Sequence, residues 1–472
     1  MKNYQITMGL EIHTQLNTTH KVFSNSLNIY SSTPNEYTNE VDLALPGTLP
    51  FLNIEVVKKA IVLGKAMNME LNPILAFNRK VYFHYDLPKG YQITQFGDNV
   101  IAKNGIVKLN NGKEIAINEF HIEEDTAKQI QNGNNNFLDY NRCGSPLIEI
   151  VTHPVFHTKE EVIEFLTKLK RILVFLNISD GKMEESSLRV DLNISISDSD
   201  ILGTRVEVKN MNSFSSVALA IEHEYHRQLS LLNKGDEVIQ ETRKWDDKEQ
   251  KTIFMRQKKD PCEYFYTKDT NILPLNITKL INTTFLDPST LPDNISKKLA
   301  SYNLPTNIDE VMLNNLSLYN LFEKVNDAVK DPNLVVTWII IETVKIANKM
   351  NLTIEKLDEN LIQKIIDMIL LIKSNKINAK QGKIIIEHLF TSTKTVSQII
   401  EELGFSQITD ASFLYKIVQN ILENNKEVIV SNKDRIERIE KFFIGLVMKE
   451  TKGQANPNIV KNIYDDLIKK YI

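Results

Sequence analysis

One carboxylate within a run of branched apolar residues constrains the fold of this chain most. Glu149 lies in the middle of the segment LIEIV at 147–151, which is typical of a β-strand. Apolar residues fall on both faces of that segment, so it predicts a strand buried on both sides. A buried carboxylate is costly unless it is paired or bound to a metal. Glu149 is therefore either a satisfied ion-pair partner in the core or a ligand.

An acidic triplet upstream favours the second alternative. Glu123, Glu124 and Asp125 follow a predicted strand at 120–122, and a Gly-, Asn- and Pro-containing loop with Arg142 leads on to Glu149. Carboxylate oxygens suit Mg²⁺, and arginine suits phosphate. The sequence around 121–154 thus indicates a site for both.

The N-terminal segment adds a second pair of candidate ligands. Residues 4–13 alternate between polar and apolar types, which predicts a strand with Glu11 and His13 on one face. Such a pair can bind one metal ion or position one phosphate. An exposed polar face is the alternative interpretation.

Basic side chains recur in three further segments. Residues 78–95 interleave basic residues and tyrosines, a pattern that can hold phosphate and stack on a base, although a solvated aromatic hairpin has the same composition. Two alternating strands at 187–196 and 204–210 either form a charged floor or belong to a half-solvated antiparallel sheet. Their charged residues include Arg189, Asp191, Glu207 and Lys209.

The periodicity of the chain changes near residue 293. Strand patterns dominate before it and helical periods after it, which predicts an α+β protein. We expect a catalytic domain at 1–293 built on an antiparallel β-sheet with flanking helices. An all-α helical domain at 294–403 and a helical tail domain at 404–472 follow.

Composition excludes several classes of protein. The 472 residues carry a net charge of −4, which argues against a sequence-blind nucleic-acid coat, and the two cysteines, Cys143 and Cys262, provide no disulfide framework or CxxC zinc site. A reducing cytoplasm is the expected setting, with no membrane-spanning or secretory segment. No Walker A loop is present, so ATP phosphates would be held by Mg²⁺ and strand side chains.

Motifs along essentially the whole chain converge on one family. Together they closely resemble the B subunit of the aspartyl/glutamyl-tRNA(Asn/Gln) amidotransferase. The segments that carry the resemblance are GLEIH at 9–13, LPGTLP at 45–50, NRKVYF at 78–83, YDLPKGYQI at 85–93, HIEED at 121–125, DYNR at 139–142, PLIEIV at 146–151, KMEESSLR at 182–189, EVKNMNSF at 207–214, QETR at 240–243 and MKETKGQANP at 448–457.

The resemblance implies a component of a cytoplasmic heterotrimer active in protein biosynthesis. A glutaminase (amidase), the A subunit, would release ammonia from glutamine, and a small C subunit would tie the assembly together. This chain would use ATP to phosphorylate the side-chain carboxylate of misacylated Glu-tRNA(Gln) or Asp-tRNA(Asn). Ammonia would then displace the phosphate. The N-terminal domain would be a cradle for this chemistry, and the tail domain would bind the tRNA.

The resemblance also implies roles for individual residues. Its Mg²⁺ site carries over onto His13, Glu123 and Glu149, with Glu11 as a further catalytic candidate and Glu124 as a nearby one. A histidine beside hard oxygen donors makes substitution by Mn²⁺ plausible. Basic residues on the neighbouring strands are the candidate phosphate ligands, namely Lys80, Arg189 and Lys209.

The chain departs from the family pattern near its N-terminus. Some members have a cysteine-based zinc site there, whereas this chain has FSNS at 23–26 and EVDL at 40–43. We expect no zinc, with this region held by packing.

Two other functions fit parts of the sequence. The first is an ATP-dependent amide ligase acting on a free amino acid, which the tail domain disfavours. The second is a non-catalytic tRNA-binding protein, which the carboxylates around Glu149 disfavour. Amidation that requires intact tRNA would exclude the free amino-acid ligase, and ATP-dependent activation that requires Glu149 would exclude the non-catalytic protein.

Overall fold

The structure is a computed structural model that describes residues 4–257, 264–405, 410–431, 436–451 and 454–469, the side chains of 430–438 excepted. Its strands are β1 (Gln5–Gln15), β2 (Glu70–Leu71), β3 (Ile74–Leu75), β4 (Asn78–Val81), β5 (Tyr91–Thr94), β6 (Ala102–Lys108), β7 (Glu114–Glu124), β8 (Lys128–Asn132), β9 (Asn135–Asp139), β10 (Pro146–Thr152), β11 (Leu188–Ser197), β12 (Val206–Lys209), β13 (Glu241–Asp246), β14 (Lys251–Gln257), β15 (Phe265–Lys268) and β16 (Leu275–Asn276).

Helices separate some of these strands and make up the C-terminal part of the chain. They are α1 (Ile54–Ala66), α2 (Lys159–Phe175), α3 (Phe214–Lys234), α4 (Thr278–Thr283), α5 (Pro292–Ser301), α6 (Ile308–Leu313), α7 (Leu316–Val329), α8 (Pro332–Val335), α9 (Val344–Lys349), α10 (Glu359–Lys373), α11 (Ala379–Thr391), α12 (Val396–Glu402), α13 (Ala411–Asn424), α14 (Lys426–Ser431), α15 (Ile436–Glu450) and α16 (Pro457–Ile468). The predicted α+β class is confirmed.

A large sheet organises the N-terminal part. Its strand order is β14-β13-β12-β11-β1-β10-β7-β6-β2, and neighbouring strands are antiparallel except for β12 and β13. That parallel pair departs from the expected antiparallel sheet. The connection between its strands contains the 21-residue helix α3, and parallel neighbours need such a crossover.

Strand alternation gives the sheet one apolar and one polar face. Leu10 and Ile12 of β1, Phe120 and Ile122 of β7, and Ile150 of β10 are at most 1 % exposed and belong to one core. The same core includes the apolar sides of α1, α2 and α3. The residues between them on each strand project from the opposite face.

Helix starts in this unit follow local sequence signals. The side chains of Asn53, Thr158 and Ser213 accept hydrogen bonds from backbone amides in the first turns of α1, α2 and α3. In the sequence, Thr158 with a glutamate three residues later and an apolar period after it predicts a helix that ends near Leu176, and α2 confirms this prediction. The Asn-Gly pair at 111–112 predicts a hairpin, and β6 and β7 form it with Gly112 at φ +88°.

The chain divides into two compact units, residues 1–295 and 296–472. The second unit is helical, as predicted. Its tail helices α13 to α16 share a small apolar core that includes Leu414, Phe443 and Tyr464. The expected boundary at 403 and 404 stays a prediction.

Some predictions fall outside the described residues. These include Cys262 and, in the lysine-rich loop after α15, Lys452 and Gly453. Within the part of the chain that the structure describes, no helix has both the length and the apolar character needed to cross a membrane.

Candidate active site

Three adjacent strands place two histidines and a glutamate in one row on the polar face of the sheet. His13 of β1 is the register partner of Glu149 of β10, and Glu149 is in turn the partner of His121 of β7. Glu123 lies two residues after His121 and therefore shares its face. The four side chains His13, His121, Glu123 and Glu149 are called the central cluster below.

Each histidine in the central cluster contacts both carboxylates. Nε2 of His13 lies 3.3 Å from Oε2 of Glu149 and 3.5 Å from Oε1 of Glu123. Nε2 of His121 lies 3.3 Å from the same Glu149 oxygen and 3.6 Å from Oε2 of Glu123. These distances exceed those of good charged hydrogen bonds. The four groups are therefore neighbours that do not form short charged hydrogen bonds with one another.

The electrostatics of the cluster favour charged forms. Burial is the largest single influence and disfavours protonation of both imidazoles, but the interactions with Glu149 and Glu123 together outweigh it and raise the pKa of His13 to about 9 and that of His121 to about 10. Burial likewise disfavours ionised Glu149, whereas the two histidines hold the pKa of its carboxyl well below its ordinary value. The carboxylates therefore have counter-charges at neutral pH even without a metal ion.

The strand that carries Glu149 was predicted to be buried on both faces, but Glu149 is partly exposed on the polar face. Ile148 and Ile150 are fully buried, but the side chain of Glu149 keeps 17 % of its surface exposed on the polar face. The prediction of a strand buried on both sides is therefore wrong at Glu149. Its neighbours across the sheet on that face are imidazoles, which leave the carboxylate open to solvent.

A second carboxylate group lies beside the central cluster. Glu11, Asp191 and Glu207 bring their oxygens within 4.8 Å of one another. Asn193 donates a hydrogen bond to Glu11 at 3.0 Å, and Lys209 forms ion pairs with Asp191 and, at 3.2 Å, with Glu207. Glu11 thus shares a face with His13 but is grouped with different residues.

Glu124 is turned away from both groups. It lies on the core face with Ile122, where it is 1 % exposed and pairs with Lys89 at 2.5 Å. Its other oxygen accepts a hydrogen bond from the backbone amide of Ile93 at 2.8 Å. Glu124 therefore joins β7 to the hairpin at β5, and the structure does not bring it to the central cluster as the sequence suggested.

Two of the three predicted phosphate ligands border the central cluster. Lys80 lies 4.4 Å from the ring centre of Tyr264. Burial lowers the pKa of the Lys80 ammonium group, but Tyr266, Glu123 and Glu149 together raise that pKa above its ordinary value, so Lys80 interacts electrostatically with the carboxylates of the cluster. Arg189 is the register partner of His13. Lys209 lies farther along, in the second carboxylate group.

The donor set fits a divalent cation. His13, Glu123 and Glu149 present ligand atoms within 4.8 Å of one another, with two carboxylates that supply the hard oxygens preferred by Mg²⁺. The protonated histidines balance the same carboxylates when no cation is bound. A bound cation would neutralise the carboxylates in place of the histidines, and the histidines would then lose their protons. In the zinc-free region expected at 23–26 and 40–43, Lys21 and Asp42 form a buried ion pair at 2.9 Å.

Sequence reasoning missed His121 as a site residue. The signal was present, because His121 and Glu123 are two residues apart on a strand, as Glu11 and His13 are. Asp125 was identified only as part of an acidic triplet. Its contacts with Arg142 at 2.8 Å and with Arg189 at 3.1 Å depend on segments far apart in sequence.

The fold and the site define a catalytic domain of the GatB/GatE type. The model of the GatB/GatE catalytic domain matches residues 6–282, and that of the GatB domain matches residues 320–468. The first match includes all four residues of the central cluster.

Curated relatives identify the family. The B subunit of the aspartyl/glutamyl-tRNA(Asn/Gln) amidotransferase of Ureaplasma parvum serovar 3 is 43 % identical, with 100 % of each chain covered. Proteins of the same name from Malacoplasma penetrans and Mycoplasma pneumoniae are 40 % and 38 % identical, and each comparison covers 99 % of this chain and 98 % of the relative. The chain belongs to this family of B subunits, which confirms the resemblance. It is one component of a tRNA-dependent amidotransferase.

Proposed function

We propose that this chain phosphorylates the side-chain carboxylate of Glu-tRNA(Gln), Asp-tRNA(Asn) or both with ATP and then amidates it with ammonia. The observation that carries the proposal is the central cluster. Two carboxylates and two histidines lie in contact there, three of them with ligand atoms within 4.8 Å of one another, and Lys80 and Arg189 interact with or lie beside this group.

The reaction requires little covalent help from the protein. A carboxylate oxygen of the substrate attacks the γ-phosphorus of ATP, the bond from that phosphorus to the β-γ bridging oxygen breaks, and ADP leaves. Ammonia then attacks the carbonyl carbon of the acyl phosphate. Phosphate leaves, and the nitrogen loses a proton to become the amide. Phosphoryl transfer of this kind depends mainly on positioning and charge neutralisation.

The proposed roles follow the positions of the side chains. His13, Glu123 and Glu149 would hold Mg²⁺, which supplies charge neutralisation on the transferring phosphoryl group when bound. Lys80 and Arg189 contact nucleotide phosphates at the edge of the cluster. The remaining proposed residues, Glu11 and Lys209, belong to the neighbouring carboxylate group.

The proposed assembly contains further components. A glutaminase (amidase) as the A subunit supplies ammonia from glutamine, a small C subunit joins the complex, and the misacylated tRNA binds through the helical tail. ATP and Mg²⁺ are required and zinc is not. The proposed location is the cytoplasm.

Substitution of Glu149→Gln tests the proposal in the complete assembly with ATP, Mg²⁺ and each misacylated tRNA. Acyl phosphate formation, measured by trapping with hydroxylamine, is expected to fall by about 100-fold or more, because the substitution removes a charged ligand. Binding of the tRNA, measured by filter retention, is expected to stay unchanged. Glu160→Gln on the exposed side of α2 serves as the matched control.

Two outcomes would contradict the proposal. Unchanged trapping in Glu149→Gln would remove Glu149 from the site. Amidation that survives ribonuclease treatment of the substrate would indicate a free amino acid as the acceptor.

A further inference from the structure

Asp125 holds two arginines side by side at the edge of the central cluster. Nε of Arg142 lies 2.8 Å and Nη2 of Arg189 lies 3.1 Å from the same oxygen, Oδ2 of Asp125. Oδ1 is 3.4 Å from Nη2 of Arg142 and accepts a hydrogen bond from the backbone amide of Thr126 at 2.9 Å. One carboxylate thus serves two guanidinium groups, and the three side chains carry a net charge of +1.

The surplus positive charge faces outward. The side chain of Asp125 is 5 % exposed, whereas those of Arg142 and Arg189 are 34 % and 35 % exposed. Nε of Arg142 and Nε of Arg189 are both buried without a hydrogen-bond partner among the described residues, so the 2.8 Å contact of Arg142 with Asp125 is an ion pair whose geometry does not make a hydrogen bond. Two guanidinium groups at one carboxylate repel each other, and each has five N–H donors, of which the contacts with Asp125 use only a few. The pair is therefore suited to an anion with several acceptor oxygens.

Backbone hydrogen bonds join the segments that carry Asp125 and Arg142. The amide of Asp125 donates to the carbonyl of Ser145 at 2.9 Å, and the amide of Gly144 donates to the carbonyl of Asp125 at 3.0 Å. Gly144 has φ +81°, and an added Cβ would meet Oδ1 of Asp42 at 3.1 Å. The turn that carries Arg142 is thus tied to the strand end that carries Asp125, so the backbone that places these two side chains together is set before any ligand binds.

The arginine pair is one strand away from the proposed metal ligands. Arg189 of β11 is the register partner of His13 of β1 and projects from the same face. Adjacent strands are roughly 5 Å apart. An anion on the pair would therefore adjoin the central cluster.

We infer that Arg142 and Arg189, positioned by Asp125, form a clamp for a phosphate group of the nucleotide. This inference rests on the proposed function and extends it, because it adds Arg142 as a binding residue and Asp125 as a positioning residue. Arginine presents a planar fork that matches phosphate oxygens in pairs, and lysine lacks that geometry.

The test uses the complete assembly with Arg142→Ala and Arg189→Ala, each paired with the corresponding lysine variant. Equilibrium dialysis measures the Kd for ATP and for adenosine, which has no phosphate. Each alanine variant is expected to weaken ATP binding by about 10- to 100-fold. The lysine variants are expected to recover only part of that loss, and adenosine binding is expected to stay unchanged. Asp125→Asn is expected to weaken ATP binding as well, with a smaller effect than either alanine variant.

Arg205→Ala is the matched control. Arg205 is exposed and immediately precedes β12, about 20 Å along the sheet from Arg189. The assembly with Arg205→Ala is expected to bind ATP with the same Kd as the unaltered assembly. Thermal unfolding of every variant shows whether weaker ATP binding comes from a lost contact or from an unfolded protein. If an alanine variant does not fold, the corresponding lysine variant is used to test the clamp.

The remaining outcomes discriminate the inference from the function on which it rests. Unchanged ATP affinity in folded Arg142 and Arg189 variants would overturn the clamp even if acyl phosphate formed normally. Weakened tRNA binding with unchanged ATP affinity would overturn it too, by assigning the pair to a tRNA phosphate. Arginine-dependent ATP binding without any acyl phosphate in the unaltered assembly would support the clamp and refute the phosphorylation.

Discussion

At the scale of single residues, Cys143 is a thiol made unreactive by its position. It is 2 % exposed, and its sulfur lies 3.7 Å from the carbonyl oxygen of Asp42. Burial is the main cause that raises the pKa of the Cys143 thiol, to about 12, and the nearby Glu124 adds to it. Since thiolates are the nucleophilic form, Cys143 cannot serve as the nucleophile of a glutaminase in this fold.

We predict that native Cys143 resists alkylation. At pH 8 about one thiol in ten thousand would be ionised at this pKa, and the side chain is also inaccessible. Treatment with iodoacetamide followed by peptide mass spectrometry is expected to leave Cys143 unmodified in the folded chain and to modify it after denaturation. Rapid modification of the folded chain at pH 8 would show that this region opens.

The sequence predicts which face of a strand some site residues occupy, but it does not predict which residues of other strands they contact. Alternation along single strands predicted that Glu11 and His13 share a face, and an isolated charge in an apolar run predicted that Glu149 is special. Which strand lies beside which is a long-range property. For that reason the pairing of His121 with Glu149, and that of Asp125 with Arg189, could not be predicted.

At the scale of elements, α11 packs closely against a neighbouring aromatic side chain through Gly382. A Cβ added there would lie 2.6 Å from Cη2 of Trp338 and 2.8 Å from Cδ1 of Ile372. Trp338 is 1 % exposed and lies in a π-helical segment, Val336–Thr343, so it has little room to move.

We predict that Gly382→Ala destabilises the helical unit by about 1–3 kcal/mol, because the new methyl group overpacks this contact. Gly445→Ala in α15 is the control, since no atom of the described residues lies within 4 Å of its added Cβ, and it is expected to stabilise by about 0.5–1 kcal/mol. Urea unfolding monitored by circular dichroism compares the two. Equal effects of both substitutions would contradict the packing described for Gly382.

Elements were predicted better than their arrangement. Capping residues and apolar periods located α2 and the hairpin of β6 and β7, because these signals are local. The parallel pairing of β12 with β13 was not predicted. It arises because α3 returns the chain to the same edge of the sheet, which depends on tertiary packing.

At the scale of the whole molecule, the proposed function assigns the release of ammonia to another subunit. We predict that the chain without its amidase partner forms the amide from misacylated tRNA, ATP, Mg²⁺ and an ammonium salt. It is expected not to use glutamine. Analysis of the amino acid released from the tRNA measures both reactions.

Addition of the amidase partner is the control and is expected to restore the use of glutamine. Glutamine-dependent amidation by the chain alone would contradict the proposed division of labour. It would also require a nucleophile other than the buried Cys143.

The alternation of the large sheet has a consequence for how this protein can change over time. Odd-numbered positions of β1 carry Glu11 and His13, and even-numbered positions carry Leu10 and Ile12. Inserting or deleting a single residue in such a strand exchanges the two sets beyond that point, so charges enter the core and apolar groups enter the site. Substitutions can accumulate one at a time, whereas a change of length in these strands disables folding and chemistry in one step. The lengths of the central strands are therefore expected to be as invariant among descendants of this chain as the proposed metal ligands.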